Sequence, residues 1–291
     1  MAVTATAPRS RPRSLVRAFK GNKIAVVGVA VVALMVLMAV LAPVLAPYDP
    51  EAINLRARMR PPTAEHWFGT DELGRDVLSR VIWGARLSLM VGLVSVAMAT
   101  VLGTLVGLMA GYAGGRVDTV IMRAIDVLLA FPMLLLALVI VSLFGQSLAT
   151  IMVAVGIASV PHYARVVRGS VLSVKRMEYV EAVSSLGAGH ARILFRHILS
   201  NVLAPIVVLA TVRVASAIVI EASLSFLGFG DPTAATWGNI VAAGRPYIAN
   251  APWISTLGGL AISVTVLALN LLGDGIRDAM DPRLKGASNP G

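Results

Sequence analysis

Six apolar runs set the pattern of the chain: Ile24–Ala46, Leu87–Tyr112, Val127–Phe144, Leu148–Val167, Val202–Ile220 and Ile254–Gly273. A helix rises about 1.5 Å per residue, so runs of this length match a hydrocarbon layer about 30 Å thick. The pattern predicts an all-α integral membrane protein with six transmembrane helices. The third and fourth runs meet at Gly145-Gln146-Ser147, which leaves room only for a tight turn and predicts a helical hairpin. The first run follows a cluster of cations and ends at Val44-Leu45-Ala46, as a signal peptide would. At 23 residues, however, it exceeds the usual apolar stretch of about 7–15 in such peptides, and it reads as a retained span.

The segments between runs carry patterns of their own. Segment 47–86 opens with Pro47, Pro50, Pro61 and Pro62, which disfavour helix. Thr70 then stands as a helix N-cap, with Asp71 and Glu72 complementing the dipole in the first turn. Leu73, Val77, Leu78, Val81, Ile82 and Ala85 follow at helical spacing, which predicts an amphipathic surface helix leading into span two. In span two, Ala99, Gly103, Gly107 and Gly111 recur every fourth residue and present a face that another helix can approach closely. Segment 165–201 holds an apolar stripe of Met177, Val180, Val183 and Leu186 that stops at Gly187, a residue suited to closing a helix. Ile193, Leu194, Ile198 and Leu199 form a second stripe, so the segment reads as two short helices hinged at a glycine. Small residues at Ala182, Ser184 and Ser185 would let this bracket seat in a groove of another protein.

Composition reinforces the membrane reading: 57% of residues are hydrophobic and 14% charged, against about 25% charged in soluble domains. The net charge of +10 falls between the apolar runs, so it reads as a topology signal and not as a nucleic-acid surface. With the N-terminus inside, 17 cations lie on the cytoplasmic side and 7 outside, with Arg213 left within a span. That is the bias the positive-inside rule expects. The inside set comprises Arg9, Arg11, Arg13, Arg17, Lys20, Lys23, Arg116, Arg123, Arg165, Arg168, Lys175, Arg176, Arg192, Arg196, Arg277, Arg283 and Lys285. The resulting plan is a cytoplasmic basic tail at 1–23, a first helix at 24–46 and an extracytoplasmic loop at 47–86. A five-helix core at 87–273 contains the cytoplasmic loop 165–201 and the extracytoplasmic loop 221–253, and a cytoplasmic tail follows at 274–291.

Catalytic chemistry is missing from the sequence. Of the four lysines, Lys20, Lys23, Lys175 and Lys285, none lies in a phosphate-binding Gly-Lys-Ser/Thr context. There is no Gly-x-Ser-x-Gly or His-Glu-x-x-His motif and no cysteine. His66, His162, His190 and His197 lack ligand spacing, and Asp71, Glu72 and Asp76 lack the pattern of a calcium loop. The reading is therefore a non-enzyme without a cofactor or metal of its own. Ion-coupled carriers need ionisable groups at mid-membrane depth. Asp126 and Glu221 fall at span ends, and Arg213 alone lies well inside one. Arg213 and Glu221 are the candidate pathway-lining residues, with a structural strut as the other reading of Arg213. An ion-coupled carrier and a membrane scaffold are the alternatives, and neither requires a glycine-hinged loop.

That loop carries a resemblance. Glu181-Ala182-Val183, then Gly187, then Ile198-Leu199 resembles the EAA loop of ABC importer permeases, with Val183 where the family favours alanine and Ser200 where it favours proline. Phe68-Gly69-Thr70-Asp71-Glu72-Leu73-Gly74-Arg75-Asp76 is similar to the segment before the core in dipeptide, oligopeptide and nickel permeases. So are Glu221–Gly228 with Trp237-Gly238-Asn239, and the tail Gly273–Leu284. The resemblance implies the type I ABC importer permease fold in a bacterial cell membrane. It also implies a second homologous permease, two cytoplasmic ATPase subunits that bind ATP and magnesium, and an extracytoplasmic substrate-binding protein. Glu181, Ala182, Val183, Gly187, Ile198 and Leu199 would then dock on an ATPase, and loop 221–253 would meet the binding protein. The resemblance leaves the cargo open among peptides, nickel and other small polar solutes.

Overall fold

The computed structural model describes residues 23–280. Arg9, Arg11, Arg13, Arg17, Lys20, Arg283 and Lys285 lie outside them, as does most of both tails. Among the described residues the regular structure is helical: α1 (Lys23–Val40), α2 (Ala42–Leu45), α3 (Val77–Ala113), α4 (Gly115–Ala130), α5 (Met133–Phe144), α6 (Leu148–Lys175), α7 (Glu178–Ser185), α8 (His190–Phe226), α9 (Trp237–Gly244) and α10 (Pro252–Met280). Five helices are long and apolar enough to cross a membrane, and α4 with α5 makes a sixth candidate, bent by 89°. For orientation, the end of the bundle carrying 165–201 is the basic end, and the opposite one, carrying 47–76 and 227–251, is the far end.

Several boundaries differ from the apolar runs. The first run breaks at Leu41 ahead of Pro43 and continues as the short α2. The third run is not one straight span. Phe131 and Pro132 both adopt extended backbone (ψ 135° and 132°), because proline excludes helical geometry from its predecessor and clashes with the turn before it. Asp126 consequently belongs to α4 and does not begin a span. The second stripe of the 165–201 segment is not a separate helix either. It forms the first turns of α8, passing through a π-helical turn at Ile193–Ile198.

The expected helix start at Thr70 is also overturned. Asp76 is the N-cap of α3, its carboxylate accepting from the Ser79 amide and hydroxyl, both at 2.8 Å. Its other oxygen lies 2.9 Å from His66 Nδ1. Thr70 instead pairs with Asp76 in a short antiparallel bridge, and Asp71 accepts from the Leu73 and Arg75 amides at 2.9 Å each. Gly74 takes a left-handed φ of +74° and packs against the Asn54 carbonyl, so no helix can run through this turn. The apolar positions Val77, Val81, Ile82 and Ala85 remain on one face, but that face is buried inside the protein and does not lie on a membrane surface. Trp237, fully buried, donates from its indole to the Val81 carbonyl (2.9 Å) and from its amide to Ser88 (3.1 Å).

The core runs along α3 and α6, where the small-residue face does its packing. A Cβ on Gly107 would sit 2.6 Å from the Ala164 carbonyl, and one on Gly111 2.8 Å from Val171 Cβ. Gly103 meets Tyr163 just as closely, and Ala99 is fully buried. At the far end the α5–α6 turn is tied to the segment after α8. Gln146 donates to the Gly228 carbonyl (3.1 Å), and Asp231 accepts from the Leu148 amide (3.0 Å).

Candidate coupling site

At the basic end, α7 is a two-turn helix that touches the rest of the protein through very little surface. Glu178 and Glu181 occupy its first turn, where they complement the dipole. Its C-terminus is closed by hydrogen bonds from the Gly187 amide to the Ser184 carbonyl (3.0 Å) and from the Ala188 amide to the Val183 carbonyl (3.3 Å). These two bonds define a Schellman motif, and the φ of +80° at Gly187 is what allows it. Glycine is required for its backbone alone, since a Cβ there would meet nothing within 4 Å.

The side chains of this bracket divide into anchors and exposed groups. Val180 is buried, and Val183 and Ala188 pack beside it against Val167, Val171, Val174, Ile193, Ile198 and Val202 of α6 and α8. Glu181, Ala182, Ser184, Ser185 and Gly187 are exposed, and Leu186 is 88% exposed at the tip. A shallow cavity of about 410 Å³ opens between Val183, Leu186 and Gly187 on one side and Arg192, Arg196 and His197 on the other. Ile198 is wholly buried in the apolar cluster, so it cannot be a docking contact; it holds the bracket on α8. Leu199 is partly buried in the same cluster. The stripe itself is half right: Val180 and Val183 face inward, whereas Met177 and Leu186 do not.

The bracket is also tied to the end of α3. Lys175 donates to the Tyr112 carbonyl (2.7 Å) and lies 5.1 Å from the Tyr112 ring centroid. The Tyr112 hydroxyl is 2.7 Å from His190 Nδ1. Tyr112 therefore joins the last residue of α6 to the first of α8, the two arms between which α7 hangs. On the other arm, Asn201 donates to the Tyr179 hydroxyl at 3.0 Å. Sequence reasoning passed over Tyr112, Lys175 and His190 as a group, because they are far apart in the chain. Their only signal was a hydroxyl-bearing aromatic at the end of an apolar run.

The two candidate pathway residues part company. Glu221 is fully buried: its carboxylate accepts from Thr236 Oγ1 (2.7 Å) and Ser225 Oγ (2.9 Å) behind Gly238. It braces α8 against α9 and is not a lining residue. Arg213 is half-buried, makes no ion pair among the described residues, and lies near His162 and Tyr163 of α6. Two ion pairs tie α4 to α6 closer to the basic end: a bidentate Asp118–Arg168 pair (2.5 and 2.7 Å) and Asp126–Arg165 (2.7 Å).

Residues 103–286 match the family described as binding-protein-dependent transport system inner membrane component. The chain belongs to this family. Residues 12–62 match a second family, the N-terminal transmembrane domain of oligopeptide transport permease C. The chain is 42% identical over 274 residues to the dipeptide transport system permease protein DppC of Alkalihalophilus pseudofirmus, covering 94% of this chain and 90% of that one. It is 40% identical to the oligopeptide transport system permease protein OppC of Bacillus subtilis, covering 92% and 88%. Among solved structures, an inward-facing MetNI methionine ABC transporter superposes with a TM-score of 0.58 at 18% identity, over 69% of this chain and 97% of that one. The fold is thus that of an ABC transporter permease, and the protein is a multi-pass membrane component of a transport system.

Proposed function

We propose that this chain is one of two permease subunits of an ATP-driven importer of di- and oligopeptides. In this reading a second, homologous permease completes the route, and an extracytoplasmic binding protein delivers cargo to the far end around 221–253. There are two ATPase subunits, which bind ATP and magnesium, and one of them sits against α7 on the cytoplasmic side. The basic end and both termini are cytoplasmic, which the distribution of cations supports. Relatives named for peptide transport over nine-tenths of the chain support the cargo class.

One observation carries the mechanism: α7 offers an exposed surface yet is fastened to three spanning helices. Glu181 and Ala182 present that surface, Gly187 shapes its end, and Val183 and Leu199 seat it. Displacement of α7 by an ATPase passes through Val180 to α6 and α8, and through Lys175, Tyr112 and His190 to α3. Packed helices move as rigid bodies under such a push, which turns the permease pair between inward- and outward-open states. The test is uptake of a labelled dipeptide into proteoliposomes holding both permeases, the ATPases and the binding protein. Uptake that requires ATP is expected. Uptake by this chain without ATPases, on a proton or sodium gradient, would overturn the proposal.

A further inference from the structure

Within the six apolar runs, charged and histidine side chains fall only on α6 and α8. The apolar runs of α1, α3 and α10 contain none. On α6, His162 is half-buried, and Arg165 one turn further on is paired with Asp126 of α4, both side chains more than half exposed (57% and 55%). On α8, which packs against α6, Arg213 is half-buried and within electrostatic range of His162. Residues three apart share a helix face, so His162 and Arg165 continue one polar column toward the basic end.

Arg213 is the unusual member of that column. It lies about two turns or more from either end of the apolar run Val202–Ile220, roughly 10 Å along the helix from the nearer one. An arginine reaches about 7 Å when it snorkels, which falls short of that interface. Arg165 is paired with Asp126, whereas Arg213 has no ion-pair partner among the described residues. An unpaired guanidinium at this depth is tolerated where it faces a water-filled cavity. Ser216, three residues further on and half-buried, shares its face of α8.

Resting on the importer reading above, we propose that this face of α6 and α8 lines the aqueous route and that Arg213, with His162 within electrostatic range, engages the carboxylate of the passing peptide. Guanidinium binds carboxylate in a two-pronged geometry that an ammonium cannot reproduce. Arg213 therefore acts as the cation that a C-terminal carboxylate meets midway, and the Arg165–Asp126 pair below it presents no net charge to hold the cargo back.

The chain contains no cysteine, so a single Ser216→Cys variant in the full complex reads the local field. Its reaction rate is measured with thiosulfonate reagents bearing a sulfonate, a trimethylammonium or a neutral polar group, with Arg213 intact and with R213Q; Val101→Cys on the apolar face is the control. A unit charge at about 6 Å in water changes such a rate about threefold. R213Q is expected to slow the sulfonate reagent about threefold or more and leave the neutral one unchanged. Failure of all three reagents at Ser216→Cys would overturn the aqueous face, and an unchanged charge preference would overturn the role of Arg213. Uptake is then compared for a dipeptide and its C-terminal amide, each at saturating binding protein. R213Q should reduce uptake of the acid about tenfold or more and spare the amide, and equal losses would overturn the carboxylate assignment. Absence of ATP-driven peptide uptake in the parent complex would instead count against the importer reading, and the thiol rates would still report on the route.

Discussion

Replacing Gly187 isolates the contribution of one backbone conformation to coupling. Its φ of +80° lies in the left-handed region, and its missing Cβ would meet nothing within 4 Å. A substitution there costs only what the backbone charges an L-residue for that conformation, about 1–2 kcal/mol, with asparagine at the low end and a β-branched residue at or above the high end. α7 is held by the buried Val180, the partly buried Val183 and the hydrogen bond between Tyr179 and Asn201, and burial of a valine contributes about 1.5–3 kcal/mol. Gly187→Val therefore removes a free energy comparable to the burial of one of those valines and shifts α7 about thirtyfold toward the detached form. Gly187→Ala should lie between, and Gly187→Asn close to the parent. ATP-driven uptake and ATPase recovery on the purified permease pair should fall in the order Gly, Asn, Ala, Val, with hydrogen exchange at the Gly187 and Ala188 amides rising in the same order. Equal uptake by all four, with the exchange order intact, would show that a formed α7 is not needed for coupling and would refute the reasoning.

Three further outcomes follow from the packing. Gly107→Ala places a methyl 2.6 Å from a backbone carbonyl that cannot yield and should cost about 1–3 kcal/mol, read as a lower Tm in detergent, whereas Gly169→Ala meets open space and should not lower it. Asp118→Asn breaks a bidentate, partly exposed pair with Arg168; a double-mutant cycle with Arg168→Gln should return a coupling of about 1 kcal/mol. Burial raises the Asp231 carboxyl, but hydrogen bonds from the Thr233 hydroxyl and the Thr233, Leu148 and Ala234 amides outweigh it and hold the group below the usual carboxylate range. Its stabilising contribution is then complete above the ordinary carboxylate pKa and is lost as pH falls through the lowered folded value. Protection of the Leu148 amide, taken relative to its intrinsic exchange rate at each pH, should fall only below about pH 4 in the parent, and should lose that pH dependence in Asp231→Asn.

Runs of apolar residues are legible because a bilayer demands length and continuity, and five of the spans were visible in this way. The third was misread because Pro132 sits inside a run whose hydrophobicity never falters; composition sees no break where geometry makes one. The start of α3 was misplaced for a related reason. Thr70, Asp71 and Glu72 satisfy the local rules for a cap, but Gly74 packed on Asn54 decides the turn through contacts 20 residues apart. The end of α7 was readable because a glycine-closed helix is a local device, and the Schellman bonds at Gly187 follow from its neighbours alone. Which of its residues face outward was not. Ile198 looked like half of a docking stripe and is sealed within α8's packing, and Glu221 looked interfacial and is enclosed by Thr236 and Ser225. Both are tertiary facts. Helical spacing gives a face its members without saying what covers it.

Crosslinking tests the central claim most directly. Single cysteines at Glu181, Ala182 and Ser185, all exposed on α7, are introduced into this cysteine-free chain and probed in the assembled complex with a short thiol-to-amine crosslinker. The account predicts a crosslink to an ATPase subunit from at least Ala182, with ATP-driven uptake lost in the crosslinked fraction. An intact, transporting complex in which none of the three positions reaches an ATPase would contradict it.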